Sequence, residues 1–222
     1  MSRPVLVLRP PPGDASTAAL VEAAGLRALR LPLFATVPVA WARPPGVFDA
    51  LLLTSANAVR HAGEALDSVR DLPVVAVGAT TAAVARAAGL TVTVTGTGDA
   101  ADALARARAR GIMRLLRLSG RERTLLPGVT DVTVYAADPV ALAPGALSVA
   151  QGAVALLHSP RAARRFAQLI DRDAVPRAAV RIAALSAAVA AAAGSGWAAC
   201  AAVDRPRDAA LVALAGRLAI DR

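Results

Sequence analysis

An internal duplication constrains this chain more than any other feature. A succession of apolar strand, polar turn, helix, strand, small-residue turn and helix occurs twice. The first copy reads DALLLTSANAVRHAGEAL (Asp49–Leu66), VVAVGATTAAVARAAG (Val74–Gly89) and TVTVTGTGDAADALARA (Thr91–Ala107). The second reads GAVALLHSPRAARRFAQLI (Gly152–Ile170), RIAALSAAVAAAAG (Arg181–Gly194) and WAACAAVDRPRDAALVALAGRL (Trp197–Leu218). Each copy can bury a core of its own, so the repeat is one of α/β units and not a solenoid. Two such units predict two lobes with a cleft between them, and corresponding turns that face one ligand.

The two copies are not equally complete. Ile112–Pro127 (IMRLLRLSGRERTLLP) reads as a further strand, loop and helix of the first copy, and nothing comparable follows Leu218. The missing piece resembles the opening VLVLRPPPGD: a strand over Val5–Leu8, then Arg9, a proline loop, and a helix over Thr17–Ala24 capped by Asp14 or Ser16. One lobe is therefore expected over about residues 42–130, and the other from residues 1–36 with 141–222. Residues 37–41 and 131–140 are extended and would run side by side as connectors. The predicted fold class is α/β: two similar lobes with mostly parallel sheets flanked by helices, joined by a two-stranded connector, with a cleft between lobes.

Composition narrows the function. The 222 residues are 56% hydrophobic but only 3% aromatic, so the core must be built from Ala, Val and Leu. The net charge is +9 and every one of the 25 basic residues is Arg. They are scattered, with no dense run and few aromatics for base stacking, which argues against nucleic acid and for a polyanionic metabolite. No apolar stretch reaches the ~20 residues of a membrane span. The start Met1-Ser2-Arg3-Pro4 runs straight into a strand, so no targeting segment and a cytoplasmic location are expected; a monomer is the expected state. The single Cys200 lies in an apolar strand pattern and reads as a buried thiol in a reducing compartment.

The turns after the strands carry the candidate binding groups. Thr54-Ser55-Ala56-Asn57 and His158-Ser159-Pro160-Arg161 each follow a strand and open a helix. Ser55 and Ser159 suit helix capping as well as ligand contact, and free N–H groups at a helix start seat a carboxylate. Gly78-Ala79-Thr80-Thr81 and Leu185-Ser186-Ala187-Ala188 form the second turns. Gly96-Thr97-Gly98-Asp99-Ala100-Ala101 fits a dinucleotide fingerprint, but it follows the third strand of its lobe and Asp99 would repel a pyrophosphate; a capped loop is the better reading. His61 and His158 are the only histidines and have no metal-ligand spacing, so no metal is expected. Tyr135, the one tyrosine, lies in the second connector beside the expected cleft floor.

Taken in order, L-x-x-TSANAV (Leu51–Val59), VAVGATTAAVARAAG (Val75–Gly89), LLRLSGRER (Leu115–Arg123), VTVYAADP (Val132–Pro139), LLHSPRAARRF (Leu156–Phe166) and RPRDAALVAL (Arg205–Leu214) resemble uroporphyrinogen-III synthases over nearly the whole chain. The resemblance implies cofactor-free cyclisation of hydroxymethylbilane, a linear tetrapyrrole bearing eight carboxylates, to uroporphyrinogen III with inversion of ring D, in haem biosynthesis. Loss of a hydroxyl as water would give an azafulvene cation, and attack by the last ring a spiro intermediate that recloses. By the same resemblance Tyr135 and Thr81 are the candidate catalytic residues. Arg9, Thr54, Ser55, Ala56, Asn57, Gly78, Ser119, Gly120, His158, Ser159, Arg161 and Ser186 are the candidate substrate-binding residues. Where the family pattern has a second-lobe threonine this chain has Val189, with Ser186 nearby. A non-catalytic binding protein for an anionic metabolite and a nucleotide-dependent enzyme using the GTGDAA loop remain as alternatives, separable by turnover and by nucleotide protection.

Overall fold

The structure is a computed structural model that describes residues 2–220. The chain forms two compact units: residues up to Ala35 join those from Pro139 onward, and Thr36–Asp138 makes the other. The path begins with β1 (Val5–Val7), α1 (Gly13–Ala23), β2 (Ala28–Arg30) and β3 (Phe34–Pro38). It continues through β4 (Ala50–Leu53), α2 (Ala56–His61), β5 (Val74–Ala76), α3 (Ala79–Ala87), β6 (Val92–Thr95), α4 (Ala100–Arg108), β7 (Leu115–Gly120) and β8 (Val129–Pro139). It ends with β9 (Val154–Leu157), α5 (Pro160–Arg172), β10 (Arg181–Ala184), α6 (Ala187–Ala193), β11 (Ala199–Ala202) and α7 (Asp208–Ala219).

The two sheets share one plan. The five-stranded sheet has the order β11-β10-β9-β1-β2, and the six-stranded sheet the order β3-β8-β7-β4-β5-β6. β1 pairs in parallel with β9, Val5 opposite Val154, as β7 pairs with β4, Leu115 opposite Ala50. The N-terminal strand thus supplies the place that β7 fills in the other unit, and β2 corresponds to β8. β8 lies between β3 and β7: it runs beside β3, and it pairs with β7 from Leu115↔Val129 onward. The reason is burial, since Val134 and Ala136 are fully covered.

Both sheets are buried on two faces, as continuous apolar strands require. In the six-stranded sheet Leu51, Leu53, Leu116 and Leu118 pack with α2 and α3 residues such as Ala58, Ala82 and Ala85. The alternate residues Ala50, Leu52, Val75 and Leu115 pack with Ala103, Leu104 and Ala107 of α4. In the other unit Val5, Val7, Val154 and Leu156 pack against Ala18 and Val21 of α1 and Leu211 and Ala215 of α7. Small helix residues let helices approach the sheets closely, which is how a core poor in aromatics stays dense. Phe166 is the bulkiest fully buried side chain, and it stacks on Trp197 at 5.8 Å.

Three local expectations are corrected. Helix α1 starts at Gly13, and neither Asp14 nor Ser16 caps it by a side chain across the end. Asp14 is buried and accepts instead from Arg30 Nε (2.9 Å) and Nη2 (2.6 Å) on β2. No helix follows β7; residues 121–128 form an irregular loop that ends in a turn at Pro127 and Gly128, because the chain must reach β8 at once and these two residues end any helical run. Cys200 is exposed, since β11 is an edge strand with one uncovered flank.

Candidate active site

In the unit Thr36–Asp138 the chain moves from β4 to β5 and β6 on one side, then returns to β7 on the other side of β4. That reversal opens a crevice beyond the carboxyl ends of β4 and β7, the place where open α/β sheets bind ligands. A pocket of about 300 Å³ lies there, lined by Thr54 and Ser55 after β4, Ser119 and Gly120 at the end of β7, Tyr135 of β8, and Ala100, Arg117, Glu122, Arg123, Thr124 and Leu126. The structure thus gathers Thr54, Ser55, Ser119, Gly120 and Tyr135 from strands that are distant in sequence.

Several polar groups there have a structural reason for their position. Ser55 Oγ accepts from Asn57 N at 3.2 Å and so caps α2. Ser119 Oγ donates to Val132 O at 3.2 Å across the strand pair. Arg117 is only 3% exposed. It makes a two-pronged ion pair with Asp131, through Nε to Oδ1 and Nη2 to Oδ2, and Nη2 also donates to Thr124 O at 2.9 Å. Arg123 Nε lies 3.4 Å from the same carboxylate, and its Nη1 donates to Thr133 Oγ1 at 3.0 Å. The opposed charges of Asp131 and Glu122 leave this pocket close to neutral despite its two arginines. The ring of Tyr135 packs on His61 at a centroid distance of 5.9 Å, and His61 Nε2 is 2.9 Å from Thr36 Oγ1. Burial, with the nearby Arg60 charge, lowers the His61 pKa and so keeps the ring neutral at pH 7.

The corresponding crevice of the other unit, beyond β9 and β1, is filled by its own side chains. Arg9 Nη1 donates to Asp208 Oδ2 (2.5 Å) and Thr17 Oγ1 (3.2 Å), and Thr17 Oγ1 donates to the same carboxylate oxygen (3.1 Å). His158 Nε2 stands 3.4 Å from Asp208 Oδ1, and among the described residues neither ring nitrogen of His158 has a hydrogen-bond partner. The approach of His158, with the Arg9 charge and the Thr17 hydroxyl, holds the Asp208 pKa at about 2 although burial opposes this.

The remaining predicted residues lie apart from the Tyr135 pocket. Ala56 is buried in α2, and Asn57 Oδ1 accepts from Arg60 at 3.0 Å. Gly78 occupies the cap position of α3 in extended backbone, with φ −164°. Thr81 is buried in the first turn of α3, and its hydroxyl makes no hydrogen bond among the described residues. Ser159 caps α5 through Ala162 N (3.1 Å), and Ser186 caps α6 through the N–H of Val189 (3.4 Å). The Arg161 guanidinium lies 4.4 Å over the Phe34 ring. In the GTGDAA loop Asp99 caps α4 through Ala101 N, and Asp102 accepts from Thr97 N; carboxylates take the amides that a phosphate would need. Among the described residues no three His, Cys, Asp or Glu side chains are grouped to hold a metal ion, and no helix is long and apolar enough to cross a membrane.

Sequence reading passed over Arg117, Asp131 and Asp208. A charge inside Leu115-Leu116-Arg117-Leu118 was the available signal, because a buried arginine needs a partner and Asp131 interrupts the next strand in the same way.

Residues 15–213 match the family model described as uroporphyrinogen-III synthase HemD. The chain belongs to the uroporphyrinogen-III synthase family. Like the family, it is an enzyme of tetrapyrrole biosynthesis that cyclises hydroxymethylbilane to uroporphyrinogen III. Among solved structures, the uroporphyrinogen-III synthetase of Helicobacter pylori superposes with a TM-score of 0.65 at 15% identity, covering 98% of this chain and 100% of that one. A mutant synthase of Thermus thermophilus superposes with a TM-score of 0.50 at 16% identity, covering 98% of both chains. At these identities the synthase structures share the fold alone. No curated protein matches the sequence significantly.

Proposed function

We propose that the pocket beyond β4 and β7 receives the hydroxymethyl end of the bilane, and that Tyr135 is the acid that lets the hydroxyl leave. The observation that carries this reading is the convergence of Tyr135 with Thr54, Ser55 and Ser119 at the switch point of the sheet. At about 300 Å³ the pocket is at the small end for ligand sites, so it holds one end of a four-ring substrate and not the whole.

The chemistry then balances without a cofactor. Tyr135 gives its proton to the departing hydroxyl, the C–O bond breaks, and water and an azafulvene cation result. The substituted carbon of ring D attacks that cation. The spiro intermediate breaks its bond to the neighbouring bridge carbon and recloses with ring D turned. A ring proton is then lost, which can restore the tyrosine. A strongly basic pocket would oppose the developing cation; the pairing of Arg117 and Arg123 with Asp131 removes that objection. Thr81 is proposed to contact substrate through the hydroxyl that the fold leaves unpaired.

The test is freshly prepared hydroxymethylbilane, with the ratio of isomer III to isomer I as the readout and no metal or nucleotide added. Isomer III should dominate. Tyr135→Phe should slow its formation by no more than about 10²-fold, the low end for a positioned general acid, since water can deliver part of the proton. Only isomer I, at the spontaneous rate, would refute the assignment of the reaction. Full activity in a folded Tyr135→Phe protein would remove Tyr135 from the mechanism.

A further inference from the structure

The pairing of β7 with β8 runs residue for residue from Leu115↔Val129 to Ser119↔Thr133 and then breaks. Gly120 faces Tyr135, where unbroken register would place Val134. One extra residue on β8 is a β-bulge, and bulges re-aim side chains beside active sites. Here Val134 stays fully buried while Tyr135, its neighbour, packs partly against the same apolar cluster and also lines the pocket. Strict alternation would have sent the two to opposite faces.

The glycine is explained by the same contact. Gly120 is not among the glycines with positive φ, so its backbone would accept any residue. What it cannot accept is a side chain: a Cβ would lie 2.9 Å from Tyr135 Cζ, 3.0 Å from Cε2 and 3.1 Å from the hydroxyl oxygen. The phenol ring therefore lies across the bare backbone at the end of β7. On another side it meets the His61 ring, which is tethered to Thr36. Arg121 N donates to Tyr135 O at 2.9 Å and closes the bulge.

We propose that Gly120 is a positioning residue for Tyr135: the bulge turns the tyrosine to the pocket, the missing side chain admits its ring, and His61 holds the ring from behind. This rests on Tyr135 acting in the reaction. A ring displaced by ~1 Å can cost about 10²-fold in rate, with little effect on binding made elsewhere.

The experiment is a double-mutant cycle of Gly120→Ala and Tyr135→Phe, with kcat and KM for the bilane. A second readout is the NMR signal of ring-labelled tyrosine, which has a single source because the chain has one tyrosine. Gly120→Ala should lower kcat by about 10- to 10²-fold, leave KM within about threefold, and shift the tyrosine signal. In the Tyr135→Phe background the same change should cost no more than about twofold, because the group it misplaces is gone. A normal rate and an unmoved signal in Gly120→Ala, with Tyr135→Phe slow, would overturn the proposal. So would a full additional loss in the double variant, since Gly120 would then act by another route. Full activity in Tyr135→Phe alone refutes the role of Tyr135, and the signal still reports whether Gly120 sets the ring. If Gly120→Ala does not fold, His61→Leu replaces it: removing the tether to Thr36 should shift the signal and lower kcat, and no change in either refutes the clamp.

Discussion

Asp131→Asn should be the most destabilising single-atom exchange among the ion pairs of this fold. The side chains of Arg117 and Asp131 are only 4% and 10% exposed, so water cannot replace what the substitution removes. Breaking one partner of a buried pair costs about 3–5 kcal/mol, because the remaining charge stays buried. Asn keeps one acceptor oxygen, and Arg117 keeps its bond to Thr124 O, which favours the lower end, about 3 kcal/mol. For a chain of this size each kcal/mol lowers the melting temperature by about 2–4 °C, so a fall of about 6–12 °C is expected. Circular dichroism melts and urea titration measure it. Asp138→Asn is the control: the Arg121–Asp138 pair is 55% and 46% exposed, and its loss should stay within about 0.5 kcal/mol. The double variant Arg117→Met, Asp131→Leu should be milder than Asp131→Asn, since it leaves no unpaired charge. If Asp131→Asn melts no lower than Asp138→Asn, the buried pair is not holding this strand junction as argued.

Three further outcomes are expected. Asp208 has its pKa lowered to about 2, so the folded state binds the proton less readily than the unfolded one; its contribution is present above the unfolded carboxylate range and is lost as pH falls toward 2. Wild type should therefore lose stability more steeply than Asp208→Asn on acidification from pH ~4 to ~2, and parallel curves in chemical denaturation would refute it. Thr81→Val should leave the melting temperature within about 2 °C, because the hydroxyl has no protein partner to lose, yet lower the rate of isomer III formation; an unchanged rate removes Thr81 from the site. Millimolar nucleoside diphosphate should raise the melting temperature by less than about 1 °C, since Asp99 and Asp102 already occupy the loop amides; clear protection would revive the nucleotide reading.

Read from the residues alone, the duplication was legible because each copy repeats a local pattern: a buried parallel strand is a continuous apolar run, and a capped helix start is a serine or aspartate after it. That was enough to assign Val5–Val7 to the sheet of Val154–Leu157, a pairing between segments far apart in sequence. The same logic found Ser55 and Ser159 as caps, since a cap is a contact within a few residues. Local pattern also misled where a tertiary partner competed. Asp14 looks like a cap for α1, but Arg30, brought alongside by the pairing of β2 with β1, claims it. The helix expected after β7 gives way to β8, because that strand completes the sheet and buries Val134 and Ala136. Only the folded sheet decides the rest of the site. Arg117 meets Asp131, Arg9 meets Asp208, and Gly120 meets Tyr135 through strand order and one shift of register, and neither leaves a trace in the periodicity of a single strand.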